Sequence, residues 1–194
     1  MMSNLFEEDP DCLHFTAYHE AGHKAILNRF GCHGEARVWS NLSGNPDEQL
    51  WGGQCRFICP TVQVVIAKDL RRSAVKLKLP KSLIPPLVKL PNNWSMLLGV
   101  AGMIAEEILD GIDDQYWVAD PIHERIDIGD VSDTDLKAMN IYDIGHYDIA
   151  STSRAAKRAF GYLRKDWQFV RNEAEHLIKQ ALEETSLTRP KLIT

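Results

Sequence analysis

The sequence predicts a mainly α domain with a small β-sheet after the first helix and a C-terminal helical bundle. Three observations predict it. Apolar residues recur at helical spacing through 11–30, 94–110 and 147–184. Two short β-prone runs, 36–39 and 54–58, are separated by turn residues. Of the 194 residues, 44% are apolar, which is enough to bury the core of one domain. A single domain over 1–194 is expected, with a functional part in 1–145 and helices in 146–194.

The first helix follows Asp9-Pro10 and is stopped by Gly31. Phe15, Tyr18, Ala25, Ile26 and Phe30 recur along it at helical intervals. The turns Ser43-Gly44-Asn45-Pro46 and Gly52-Gly53 then punctuate the sheet region. Residues 62–67 suit either a further strand or the start of a helix. Pro80, Pro85, Pro86 and Pro91 make 79–93 a connection, because proline lacks the amide a helix interior needs. Asn93 or Ser95 can cap the helix 94–110, and Gly111 follows its end. That helix is apolar on most sides, so it belongs in the core. Glu106 and Glu107 are its exception. They sit near the C-terminal end, against the helix dipole. Residues 111–129 are expected to form a long acidic loop. A helix is expected over 132–141, and helical structure over 147–184 with a break at Gly161 or near Asp166.

Composition excludes some functions. The net charge of −5 gives no protein-wide attraction to nucleic acid. Lys68, Arg71, Arg72, Lys76, Lys78 and Lys81 form one modest basic run, read as a solvated face. The four cysteines include no C-x-x-C pair, so neither a zinc ribbon nor a redox pair is expected. The longest apolar run, 96–105, is far short of the roughly 20 residues that span a bilayer. The acidic opening MMSNLFEEDPD has no signal-peptide pattern, so a cytoplasmic location with reduced thiols is expected.

The chemistry lies in TAYHEAGHKAI, residues 16–26. On a helix, positions four apart share a face, so His19 and His23 can offer two imidazole nitrogens to one metal ion. Glu20 follows the first histidine and leans toward the same face. That suits a general base for a water activated by zinc. Ala21 and Gly22 are small and permit a close neighbour. The spacing leaves the third ligand open.

This stretch resembles the zinc helix of the FtsH-type ATP-dependent metalloproteases, whose motif is HEAGHA. LLGVAGMIAEEIL, residues 97–109, is similar to that family's A-E-E helix. SDTDLKAMN, residues 132–140, is similar to the stretch that supplies its third ligand. The three occur in the family's order. The resemblance implies a helical, zincin-like peptidase domain with Zn2+ held by His19, His23 and Asp135, Glu20 as base, and Glu106 ordering a zinc histidine. It also implies that strand 54–58 is an edge that pairs with an extended peptide or unfolded-protein substrate. No G-x-x-x-x-G-K-[ST] phosphate loop is present, so any ATPase or unfoldase is expected to be a separate partner.

Alternatives stand beside this reading. Asp133 competes with Asp135 as ligand. Ser132 and Asp135 also satisfy a helix capping box, which needs no metal. Glu106 or Glu107 could ligate directly, and a carboxylate on a core helix must meet a cation or a histidine. Asp113, Asp114, Asp120, Asp127 and Asp130 lack the regular spacing of a calcium loop. His14, Cys12, Cys32 and His33 are read as structural, and His146 and His176 as ordinary helical residues. A non-catalytic metal-binding module that captures peptides is the second functional reading. A hydrolase of some other amide or ester is the third.

Overall fold

The structure, a computed structural model, describes residues 10–41, 50–84 and 89–188. The expected turn 43–46, Pro85 and Pro86 lie outside the described residues. The architecture is mainly helical with one small antiparallel sheet.

Helix α1, Pro10–Arg29, is the centre of the molecule. It packs against α4 (Ala101–Leu109), α8 (Trp167–Thr188) and both strands. Ala17, Ala21, Ile26 and Leu27 are fully buried along it. Each large aliphatic chain buried this way contributes roughly 1.5–3 kcal/mol. The approach to α4 is close because Gly22 has no side chain. A Cβ there would stand 2.6 Å from the Ala101 carbonyl oxygen and 2.8 Å from Ala105 Cβ. Gly31 (φ 73°) ends the helix in the left-handed region that glycine tolerates.

Strands β1 (Gly34–Ser40) and β2 (Trp51–Phe57) pair antiparallel, from Gly34 opposite Phe57 to Ser40 opposite Trp51. Both are longer than the expected 36–39 and 54–58. Val38 and Trp51 point into the core. Residues 62–67, which suited strand or helix, are helical. They belong to α2, Pro60–Lys76, which Pro60 opens at a first-turn position where its missing amide costs nothing. The proline-rich connection holds a short 3-10 turn, Lys81–Leu83.

The expected helix 94–110 is divided at Val100 into α3, Trp94–Gly99, and α4. The site uses one carbonyl of the last α3 turn, that of Leu98. The expected acidic loop 111–129 is a correction. Its second half is helix α5, Ala119–Ile128. Pro121 falls in the first turn, where proline is tolerated, and Ile122 and Ile126 bury one face. Gly129 (φ 77°) caps the end.

Helix α6 is shorter than expected, Asp133–Ala138, with Asn140 (φ 60°) left-handed after it. Helices α7 (Ile149–Lys165) and α8 meet at Asp166, so the break falls there and not at Gly161. His146 lies in an exposed turn, not on a helix. No helix among the described residues is long and apolar enough to cross a membrane.

Candidate metal centre

Helix α1 presents His19, Glu20 and His23 beneath β2, α3, α4 and α6. The two imidazoles are 4.7 Å apart, ring centre to centre, and nearly edge to face. Each has its Nδ1 committed. His19 Nδ1–H donates to Glu106 Oε1 on α4 at 2.6 Å. His23 Nδ1–H donates to the Leu98 carbonyl of α3 at 2.9 Å. Both Nε2 atoms are therefore turned to a common point, which Asp135 of α6 also faces. His19 Nε2 lies 3.2 Å from Asp135 Oδ2, and His23 Nε2 lies 3.3 Å from Oδ1.

These separations bear on whether a metal fits. Bonds of about 2.0–2.1 Å in a tetrahedron give edges of about 3.3 Å. Each histidine–carboxylate distance is close to such an edge, His19 to Oδ2 and His23 to Oδ1. One ligand atom from each of His19, His23 and Asp135 lies within 4.8 Å of the others. Fixing Nδ1–H to an acceptor leaves the Nε2 lone pair for a cation, which is how metal-binding histidines are ordinarily oriented.

Asp135 is buried, and Ser132 serves it twice. The Ser132 hydroxyl donates to Asp135 Oδ2 at 2.8 Å, and the Asp135 amide donates to Ser132 Oγ at 3.1 Å. Capping and site-facing roles therefore coexist: the serine caps the helix, and the aspartate points inward. Burial pushes the Asp135 carboxyl up, but the two histidines and the serine outweigh it and hold the pKa at about 2. Burial pulls His19 down. Its hydrogen bonds to Asp135 and Glu106 reverse that and carry it well above the usual imidazole value.

Glu106 is braced from its far side by Arg125 of α5, which ion-pairs with Glu106 Oε2 and reaches Asp130 at 3.2 Å. Burial raises Glu106, and His19 and Arg125 bring it below the ordinary value. Glu106 thus touches the back of a histidine. The cluster of possible ligands does not include it. Asp133 is exposed, and Glu107 lies 4.0 Å from Arg125.

Glu20 is buried, and its Oε2 has no hydrogen-bond partner among the described residues. Burial raises its pKa, and the nearby histidines only partly oppose this. Two glycines make room. A Cβ on Gly102 would stand 2.3 Å from His19 Nε2, and one on Gly53 would stand 2.6 Å from Glu20 Oε1. All these groups open on one cleft of about 510 Å³. Gly53 to Cys55 and Phe57 of β2 form one wall, and the Gly129–Ser132 turn forms another.

The structure thus brings together His19, Glu20, His23, Glu106 and Asp135. Sequence reasoning missed Arg125, the Leu98 carbonyl and the need for glycine at 53 and 102. A basic residue between Ile122 and Ile126 in an acidic stretch gave no signal that it faced Glu106. No family model matches the chain, and no curated protein matches it.

Proposed function

We propose that the chain is a zinc-dependent metallopeptidase of the FtsH type, with a zincin-like site. One observation carries the proposal. Two imidazole Nε2 atoms and the Asp135 carboxylate converge, while the buried Glu20 carboxylate stands beside them with an oxygen left unpartnered.

His19, His23 and Asp135 would hold the ion, with Glu106 and the Leu98 carbonyl fixing the two rings. Zinc in that place supplies Lewis acidity, acidifying water and polarising a carbonyl. Glu20 supplies the proton acceptor. Its raised affinity for a proton suits a group that takes one from water and returns it to a leaving amine. Among the described residues β2 pairs only with β1, so its other edge is open. An extended peptide could pair there by main-chain hydrogen bonds and lie along the cleft. Short peptides and unfolded chains suit such a site, and a separate unfoldase could deliver folded substrates.

The second reading, a non-catalytic metal-binding module, is disfavoured by the same observation. A structural zinc site is closed by four protein ligands and has no use for a buried base. Hydrolysis of a fluorogenic peptide by the zinc-loaded protein tests the proposal. The wild type should cleave, and Glu20→Gln should bind zinc equally while losing about 100-fold or more in rate. Equal rates for the two proteins would defeat the proposal.

A further inference from the structure

We propose that α2 docks the protein on bilayer surfaces rich in anionic phospholipid. The proposal is independent of the peptidase reading. Helix α2 touches the body through a narrow face: Pro60 and Ala74 are buried, and Val64 and Ala67 are partly so. Its rotation is fixed at the start. The Gln63 amide accepts from the His33 amide at 2.8 Å and donates to the Ile58 and His33 carbonyls at 2.7 and 3.2 Å.

That rotation turns an aliphatic ridge outward. Val62, Ile66, Leu70 and Leu77 are 47%, 47%, 54% and 71% exposed. They follow one another at helical spacing. A soluble helix ordinarily hides such a row. Beside it runs a second exposed ridge, Lys68, Arg72 and Lys76, spaced four apart. Residues 60–81 hold six basic residues and one acidic, Asp69, in a chain whose net charge is −5. Asp69 sits 3.4 Å from Arg72.

An aliphatic row beside a cationic row is the pattern of a helix lying in a bilayer interface. The apolar row sinks toward the acyl chains. The long lysine and arginine stems let the charges reach up to lipid phosphates. A symmetric dimer through this face would set cationic ridge against cationic ridge, which opposes a second copy as the occupant.

Vesicle sedimentation tests this with the full chain. Vesicles of phosphatidylcholine alone are compared with vesicles of equal parts phosphatidylcholine and phosphatidylglycerol. The protein should sediment with the mixed vesicles and release at high salt. The variant Lys68→Glu/Arg72→Glu/Lys76→Glu should lose about tenfold or more in partitioning. The variant Ile66→Asp/Leu70→Asp should lose a similar factor, because insertion needs the apolar ridge. All five changes fall on exposed positions, and circular dichroism checks that each variant is folded. No sedimentation with mixed vesicles would overturn the proposal. So would sedimentation that survives the aspartates, which would make the surface a purely electrostatic one. Binding to an acidic polypeptide without binding to vesicles would reassign the ridge pair to a protein partner.

Discussion

His19 Nδ1 donates to Glu106 Oε1 at 2.6 Å, joining a residue of the first helix to one 87 positions later. The bond fixes the ring so that Nε2 faces Asp135. Its acceptor is fixed in turn by Arg125. Glu106→Gln keeps the shape and loses the charge. Zinc affinity should fall about 10–100-fold, the usual cost of losing such a support. Competition with a chromophoric chelator measures it, and an unchanged affinity would remove Glu106 from the site.

Gly102 is required by the His19 ring. A Cβ there would overlap Nε2 at 2.3 Å and Cδ2 at 2.4 Å. Gly102→Ala should displace the ring, abolish zinc binding and cost about 1–3 kcal/mol by overpacking. Gly161→Ala is the control. Nothing lies within 4 Å of its added Cβ inside α7, so it should stabilise by up to about 1 kcal/mol. Thermal unfolding of both variants checks the contrast.

Zinc binding should release a proton, and its affinity should rise with pH. Asp135 titrates at about 2, so it is already ionised. His19 is held protonated well above the usual imidazole value and must lose its proton to bind metal. Below the His19 pKa, affinity should fall by about tenfold per pH unit, and above it the curve should flatten. Calorimetry in buffers of different ionisation enthalpy counts the proton. For folding, the sign of Asp135 is separate. Its pKa is depressed from 3.8 to about 2, so its contribution is present above that window and lost as pH falls through it.

Sequence spacing was sufficient for His19, Glu20 and His23, because a helix converts an interval of four into one face. The helices over 11–30 and 147–184 were legible for the same reason: their apolar residues recur over many turns. The end of the acidic stretch was not. Pro121 and the scattered acids masked a short helix that buries only Ala119, Ile122 and Ile126. The division at Val100 falls between Gly99 and Gly102, two poor helix formers that were passed over inside a long apolar run. Arg125 and Gly53 act on residues far away in sequence, and no local pattern records such contacts.

The thiols should react in a fixed order. Cys59 is exposed, and hydrogen bonding with Thr61 lowers its pKa. Cys55 faces the cleft, and burial pushes it up to about 12. Cys32 is buried and raised as well. Iodoacetamide followed by peptide mass mapping should therefore label Cys59 well before Cys55 and Cys32, since the thiolate is the reactive form. Equal labelling of Cys55 in the folded protein would contradict its raised pKa.

The most direct measurement is anomalous diffraction at the zinc edge from crystals of the zinc-loaded protein. One peak is expected, bonded to His19 Nε2, His23 Nε2 and Asp135, with Glu106 on the far side of the His19 ring and a fourth position open toward Glu20. No peak between these residues, or a fourth protein ligand closing the site, would contradict the account.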